Sequence, residues 1–211
     1  MIQKKGVLVG IEGIDAAGKR TQTSLLTEWL RAKGLTVATI SFPDYSTTIG
    51  NEIHDFLHGK KTYPAEVRHM LFAANRWEDK AKVEALLTSS DVSIVNRYTE
   101  SNLAYGIANG LNLDWLSNLE VGLPKTDAVL VLDALPSVLY NRRASTKDRY
   151  ERDAKIQERA REAYKELALR FGWKLIDASG SIQDTHRSVT AAVIGLIQSG
   201  DAAKVKGKAA Q

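Results

Sequence analysis

A glycine-rich turn between an apolar run and a helical segment constrains this chain more than any other feature. Residues 7–11 are continuously apolar, which is typical of a strand buried on both faces of a parallel sheet. This run leads into the sequence GIDAAGKRT at residues 13–21, where helical periodicity begins. Two glycines and a lysine at this spacing, between strand and helix, are typical of a phosphate-binding loop. The turn therefore predicts an α/β fold that binds a nucleoside triphosphate.

Each part of this loop has a physical task. Gly13 and Gly18 permit backbone conformations and a close approach to a ligand that side chains would block. The loop amides and the N-terminus of the next helix face the phosphate oxygens. Lys19 places a positive charge on the β- and γ-phosphates, where charge shifts during phosphoryl transfer. The predicted triphosphate-binding residues are Gly13, Ile14, Asp15, Ala16, Ala17, Gly18, Lys19, Arg20 and Thr21.

Further apolar runs alternate with segments of helical periodicity along the chain. The other predicted strands cover residues 36–42, 92–95, 128–132 and 174–176. The predicted helices cover residues 19–33, 65–88, 99–109, 135–144, 152–171 and 181–198. This alternation predicts a parallel sheet with helices on both faces. We expect a single domain over residues 1–199, followed by a disordered tail over residues 200–211.

Two segments interrupt the alternation. Residues 43–63 are rich in Thr, Gly and His, and we expect a loop and a short helix over the sheet edge. Residues 145–152 are polar and charged between two predicted helices, as expected for a mobile lid.

Composition narrows the function classes. The chain has no cysteine, which excludes disulfides, thiolate metal sites and cysteine nucleophiles. It has no apolar run of about 20 residues, no signal-peptide pattern and no basic stripe interleaved with aromatic residues. We therefore expect a cytoplasmic protein that binds small molecules, with neither nucleic acid nor membrane as a partner.

The position after Lys19 departs from the usual loop pattern. A Ser or Thr hydroxyl normally binds Mg²⁺ there, but this chain has Arg20, with Thr21 one residue later. Either Thr21 substitutes, or Mg²⁺ is held mainly through water and phosphate oxygens, which its slow dehydration permits. We favour the second interpretation.

An ordered set of blocks gives the chain a more specific resemblance. They are IEGID at residues 11–15, FPDY at 42–45, LFAANRWE at 71–78, NRY at 96–98, SNLAY at 101–105, LDW at 113–115, VGLPK at 121–125, RYE at 149–151 and QER at 157–159. In this order they resemble thymidylate kinases over roughly residues 6–198. The resemblance implies a five-stranded P-loop fold, ATP and Mg²⁺ as cofactors, dTMP as acceptor and a homodimer.

Arg97 is the candidate for holding the acceptor phosphate. It lies just past the third predicted strand, at the edge where ligands of parallel α/β sheets bind. A guanidinium group binds phosphate oxygens bidentately, and transfer requires positive charge between the two anions. By resemblance, Arg97 binds the dTMP phosphate and assists its phosphorylation. The alternative is a surface salt bridge.

The base requires a flat apolar face and directed hydrogen bonds. Phe72 and Arg76 are four residues apart and share a helix face. By resemblance, Phe72 stacks on thymine and Arg76 donates to O4, which disfavours cytosine with its amino group there. Asn102 is expected at the base N3, unless it is a helix-surface amide. Without the resemblance, a core role is the more common interpretation of Phe72.

The resemblance also implies contacts to the sugar and the acceptor phosphate. Tyr105 shares a helix face with Asn102 and is expected to exclude a ribose 2′-hydroxyl. Asp15 is expected to accept the 3′-hydroxyl of dTMP and is counted with the catalytic residues. Tyr45 is expected near the acceptor phosphate, and Phe42 lines either the pocket floor or the core.

The lid is expected to supply catalytic charge. Family members with an arginine directly after the loop aspartate use it at the γ-phosphate, but this chain has Ala16 there. By resemblance, Arg149, helped by Lys147 of the same segment, closes over the transferring phosphoryl group. Arg142 or Arg143 is expected to pack on adenine through a cation–π contact. Arg20 is the alternative source of charge, and a solvated hinge is the alternative role of the segment.

A second departure concerns the metal. Many family members have an aspartate where this chain has Asn96, which keeps the shape and an acceptor oxygen but loses the charge. The candidate magnesium contacts are therefore Thr21 and Asn96, through water. The alternatives to a dTMP kinase are another nucleotide or deoxynucleoside kinase, and a weakly active nucleotide-binding homologue.

Overall fold

The first strand, β1 (Val7–Glu12), is buried along its whole length and forms the centre of a five-stranded parallel sheet. The computed structural model describes residues 6–140, 150 and 153–198 of the chain. The other strands are β2 (Val37–Ser41), β3 (Val92–Asn96), β4 (Ala128–Asp133) and β5 (Lys174–Asp177). Their order across the sheet is β2-β3-β1-β4-β5. The predicted strands and the predicted fold class are confirmed.

Helices connect the strands on both sides. In the described ranges they are α1 (Lys19–Ala32), α2 (Thr48–Leu57), α3 (Ala65–Glu78), α4 (Lys80–Ser89), α5 (Thr99–Ala108), α6 (Leu113–Leu119), α7 (Pro136–Tyr140), α8 (Ala154–Phe171) and α9 (Ile182–Gln198). None of these helices is long and apolar enough to cross a bilayer. The predicted lid at residues 145–152 lies outside the described residues except for Tyr150, and so does the predicted tail.

The two faces of the sheet follow from the alternation of side chains along β1. Val9 and Ile11 belong to one hydrophobic cluster with Leu26 of α1. Leu8 belongs to a second cluster with Leu87 of α4. Because successive residues of a strand point to opposite faces, α1 and α4 cover opposite sides of the sheet.

The predicted helix over residues 65–88 is two helices that meet at Asp79. The chain must turn here because the two halves pack against different partners. Arg76 of α3 lines a cavity, whereas Val83 and Leu87 of α4 pack with Leu8 against the sheet. The helical periodicity predicted one continuous helix, because no proline or glycine marks the turn. The helix α6 was also missed by the sequence analysis.

Glu100 in the first turn of α5 is a buried carboxyl group with incomplete hydrogen bonding. Thr126 Oγ1 donates to its Oε1 atom at 2.6 Å, and its Oε2 atom has no hydrogen-bond partner among the described residues. Burial, followed by the nearby charge of Glu12, raises the pKa of Glu100 from 4.5 to about 7. The folded chain therefore holds this proton more tightly than the unfolded chain does.

We expect Glu100→Gln to change how stability depends on pH. A raised carboxyl pKa makes the fold lose stability as pH increases from about 4.5 to 7, because ionisation favours the unfolded chain. The variant lacks this ionisation. The free energy of unfolding of the variant minus that of the native chain should therefore be larger at pH 8 than at pH 5. Thermal unfolding of both proteins across this range measures the effect. Parallel stability curves would contradict it.

Candidate functional site

The loop between β1 and α1 has the backbone that the sequence predicted. Gly13 has a φ of 130°, and a Cβ atom there would lie 2.5 Å from the Leu132 carbonyl oxygen, so close strand packing requires glycine. Ala16 and Gly18 also have positive φ angles, of 64° and 95°. Lys19 is buried, and its Nζ atom donates to the Gly13 and Ile14 carbonyl oxygens at 3.0 and 2.8 Å. The loop thus forms a tight turn at the N-terminus of α1.

Two cavities meet at the carboxyl edge of the sheet, and we call them the donor cavity and the acceptor cavity. The donor cavity, of about 780 Å³, is lined by Asp15, Ala16, Ala17, Gly18, Lys19, Arg20, Thr21, Gln22, Asn96, Arg97, Gly180, Ser181, Ile182 and Thr185. The acceptor cavity, of about 440 Å³, has a size typical of small-molecule sites. Its lining includes Asp15, Arg20, Ser41, Phe42, Pro43, Tyr45, Leu57, His69, Phe72, Arg76, Asn96, Arg97, Tyr98, Ser101, Asn102, Tyr105 and Tyr150.

Four residues line both cavities, namely Asp15, Arg20, Asn96 and Arg97. Two of them are arginines, so the junction combines phosphate-binding loop geometry with positive charge. This arrangement suits two phosphate groups that face each other, because fixed cations offset their mutual repulsion.

Arg97 is held in place at this junction. It has a φ of 60°, and its backbone N–H donates to the Ile11 carbonyl oxygen at 3.2 Å. Its guanidinium forms an ion pair with Asp15 and stacks over the Tyr105 ring, 5.3 Å from the centroid. The ion pair of Arg97 with Asp15 is therefore not a surface salt bridge, since the two side chains are only 20% and 15% exposed.

Asp15 is an acceptor for several groups at once. Gln157 Nε2 donates to its carboxylate at 2.7 Å, and the Tyr105 hydroxyl donates at 3.3 Å. Burial alone would raise the pKa of Asp15, but the charges of Arg97 and Lys19 and these hydrogen bonds outweigh it and lower the pKa. Asp15 is therefore ionised at neutral pH and orients Arg97.

A buried carboxylate beneath the junction joins three elements. Glu12 at the end of β1 accepts hydrogen bonds from the Tyr98 backbone N–H at 2.7 Å, from Ser101 Oγ at 2.6 Å and from Tyr164 OH at 2.8 Å. These contacts fix the start of α5 and the position of α8 relative to β1. Since Tyr98 directly follows Arg97, Glu12 also fixes the backbone that presents the guanidinium.

The residues predicted for the base line the acceptor cavity and do not line the donor cavity. Arg76 is buried and forms an ion pair with Glu120, whose Oε2 atom accepts from Arg76 Nε at 3.0 Å. Asn102 is 2% exposed, so it is not a helix-surface amide. Phe72 is half-buried and lines the same cavity. The structure brings these three predicted residues together.

The remaining predicted acceptor residues also line this cavity. Tyr105 is 5% exposed and lies between Asp15 and Tyr150, with its ring 5.5 Å from the Tyr150 ring. Phe42 both lines the cavity and packs in the core against Tyr98, at a ring distance of 5.7 Å. Tyr45 is exposed and also lines the acceptor cavity. Its ring contacts the His54 ring edge to face.

The predicted donor residues divide into three groups. Asp15, Ala16, Ala17, Gly18, Lys19, Arg20 and Thr21 line the donor cavity. Gly13 and Ile14 lie behind that lining and accept hydrogen bonds from Lys19. Arg142, Arg143, Lys147 and Arg149 lie outside the described residues.

Asn96 offers a contact for a metal. Its Oδ1 atom is buried without a hydrogen-bond partner among the described residues, and the residue lines both cavities. Thr21 lines the donor cavity. The described residues contain no group of three His, Asp or Glu side chains that could hold a metal ion. The donor set thus fits a hydrated Mg²⁺ shared with phosphate oxygens better than a cage of protein ligands.

Sequence reasoning missed several residues of the site. Glu120 and His69 were not singled out, because their importance depends on contacts with residues distant in the sequence. Gln157 belonged to a block with the family resemblance, but its contact with Asp15 was not predicted. Four other residues of the donor cavity carry no motif, and only the topology brings them to the loop: Gly180, Ser181, Ile182 and Thr185.

Comparisons with known proteins agree with this geometry. A family model described as thymidylate kinase matches residues 11–189. The thymidylate kinase of Homo sapiens is 36% identical to this chain, over 90% of this chain and 90% of its own length. The thymidylate kinase of Danio rerio is 35% identical, over 88% of this chain and 89% of its own length. The solved structure of thymidylate kinase from Candida albicans matches with a TM-score of 0.79 and 29% identity, covering 93% of both chains.

Proposed function

The chain belongs to the thymidylate kinase family and transfers the ATP γ-phosphoryl group to dTMP, and we propose that the two joined cavities bind these two substrates. ATP occupies the donor cavity, with its phosphates on the loop and Lys19. dTMP occupies the acceptor cavity, with its phosphate at Arg97. The products are dTDP and ADP.

The junction of the cavities is the observation that carries this proposal. Arg97 lines both cavities and is oriented by Asp15, which supports a role at both the acceptor phosphate and the transferring group. The reaction has little covalent work for the protein, so positioning and charge supply the catalysis. Lys19 supports the β- and γ-phosphates from the loop, and Arg149 is proposed to add charge from the lid.

The base and the sugar are recognised by Asp15 at the junction and by acceptor-cavity residues that do not line the donor cavity. Phe72 provides the apolar face, Arg76 donates to O4 and Asn102 accepts from N3–H. Tyr105 fills the space of a 2′-hydroxyl, and Asp15 accepts the 3′-hydroxyl. The burial of Arg76 and Asn102 supports directed recognition, because buried polar groups disfavour a base that leaves them unpaired.

The Oδ1 atom of Asn96 has no hydrogen-bond partner in the part of the chain that the structure describes, which supports a water-mediated contact with Mg²⁺. When bound, the metal would neutralise phosphate charge beside the loop. Thr21 is a second candidate contact.

We also propose a cytoplasmic location and a homodimer. The exposed Met70 and Trp77 on α3 support an association surface.

Asn96→Asp tests the metal contact. A carboxylate attracts a hydrated cation more strongly than an amide does, so the Mg²⁺ concentration for half-maximal activity should fall roughly threefold to tenfold. Titration of activity with Mg²⁺ at fixed ATP measures this change. Asn96→Ala is the control and should not lower the requirement. An unchanged requirement in Asn96→Asp would place the metal away from this residue.

The acceptor is tested by ADP release with dTMP, dUMP, UMP, CMP and thymidine. We expect the highest kcat/KM with dTMP and weak activity with CMP and thymidine. A preference for CMP or thymidine would indicate a different nucleotide or nucleoside kinase. Binding of ATP and dTMP without ADP release would indicate a nucleotide-binding homologue.

A further inference from the structure

We propose that His69 is a positioning residue that makes Asn102 present only a hydrogen-bond acceptor to the nucleotide base. This inference rests on the proposed placement of dTMP in the acceptor cavity. It extends that placement, because it assigns part of the base specificity to a residue that needs no contact with the base.

The direction of the hydrogen bonds is set first at Asn109. Its Nδ2 atom donates to the Tyr105 carbonyl oxygen at 2.7 Å, and its Oδ1 atom accepts from Arg68 Nη2 at 3.3 Å. Both contacts fix the same orientation of the amide, since a carbonyl only accepts and a guanidinium only donates. The Nδ2 atom also lies 3.2 Å from His69 Nε2, which must therefore accept.

The hydrogen bond from Asn109 determines which ring nitrogen of His69 donates to Asn102. The imidazole is fully buried, and burial, despite the hydrogen bond with Asn102, lowers its pKa to about 4. The ring is therefore neutral at physiological pH and carries one ring proton. Since Nε2 accepts, this proton lies on Nδ1, which donates to Asn102 Oδ1 at 2.7 Å.

The amide of Asn102 is fixed at its other end as well. Its Nδ2 atom donates to the His69 carbonyl oxygen at 3.2 Å and to Glu120 Oε1 at 2.7 Å. Both amide hydrogens are thus used within the protein. The Oδ1 atom retains a second lone pair, so an acceptor is all that this side chain can offer a ligand.

Glu120 orients Arg76 as a hydrogen-bond donor, whereas Asn102 is oriented as an acceptor. It binds two nitrogen atoms of the guanidinium, which leaves other N–H groups as donors on a side chain that lines the cavity. The cavity therefore pairs one fixed donor with one fixed acceptor. Thymine matches both through O4 and N3–H, whereas cytosine presents an amino group and an unprotonated N3.

Two substitutions of His69 separate orientation from packing. His69→Leu is apolar and fills much of the same volume, but it cannot donate to Asn102. His69→Asn is smaller, yet its amide nitrogen is as many bonds from the backbone as Nδ1 and retains a donor there. The measurement is the ratio of kcat/KM for dTMP to kcat/KM for dCMP, with kcat and KM determined separately.

We expect His69→Leu to lower this ratio about tenfold, because the variant loses one of the three hydrogen bonds that hold the Asn102 amide in this orientation. The KM for dTMP should rise more than kcat falls, because Arg97 and Asp15 do not contact His69. His69→Asn should retain the ratio within about threefold. An unchanged ratio in His69→Leu, or an equal loss in both variants, would overturn the proposal.

The native chain provides a measurement that does not depend on the variants folding. Nitrogen NMR of the His69 ring should show the proton on Nδ1, and a proton on Nε2 would overturn the proposal. The ratio of kcat/KM values for the native chain distinguishes a failure of the proposed dTMP placement from a failure of the role of His69. If the native enzyme does not prefer dTMP to dCMP, the proposed placement fails together with this inference. If it does and His69→Leu retains that preference, only the role of His69 fails.

Discussion

Replacement of Arg97 with alanine is expected to lower kcat for dTMP phosphorylation by at least about 10³-fold, the effect typical of an arginine that stabilises transferring phosphoryl charge. The variant should still bind ATP, because Lys19 and the loop remain. Alanine introduces no new backbone strain, since arginine already adopts a φ of 60° there. Steady-state ADP release and ATP binding together measure this separation of turnover from nucleotide binding.

The matched control for this prediction is Arg161→Ala. Arg161 also forms an ion pair with an aspartate, with Nε 2.6 Å and Nη2 2.9 Å from Asp133, but it lines neither cavity. Its loss should affect stability rather than turnover. Near-native turnover in Arg97→Ala, or an equal loss in both variants, would refute the assigned role of Arg97.

Lys19→Met is expected to lower kcat by about 10²-fold or more and to raise the KM for ATP. Methionine keeps the apolar stem of the side chain but removes the charge beside the β- and γ-phosphates. The KM for dTMP should change little, because Lys19 lines the donor cavity and not the acceptor cavity. Initial rates with each substrate varied in turn measure the three parameters.

The control for this prediction is Lys165→Met on α8, where the lysine pairs with Glu162 at the surface. This change removes the same charge from the chain and should leave the kinetic parameters near native. An unchanged KM for ATP together with an unchanged kcat in Lys19→Met would contradict a triphosphate on the loop. A selective rise in the KM for dTMP would instead assign Lys19 to the acceptor.

The sequence allowed the sheet and the loop to be predicted because their signals are local. Continuous apolar runs marked the parallel strands, and the spacing from Gly13 to Lys19 marked the loop. The break at Asp79 was not predictable in this way. It depends on α3 and α4 packing against different parts of the fold, and no local breaker marks it.

The site was predicted in part, for a similar reason. Arg97, Arg76 and Asn102 belong to blocks with the family resemblance, and the structure places all three in one cavity. The groups that orient them come from elsewhere in the chain. Glu120 and His69 act through contacts 44 and 33 residues away in sequence, so only the folded chain shows their connection.

A crystal structure with ADP, dTMP and Mg²⁺ would show directly where the two nucleotides bind. We expect ADP on the loop with Lys19, the dTMP phosphate on Arg97, and thymine against Phe72 with O4 at Arg76 and N3 at Asn102. A dTMP molecule bound outside the acceptor cavity would contradict this placement of the substrates. So would one bound inside it with its phosphate directed away from Arg97.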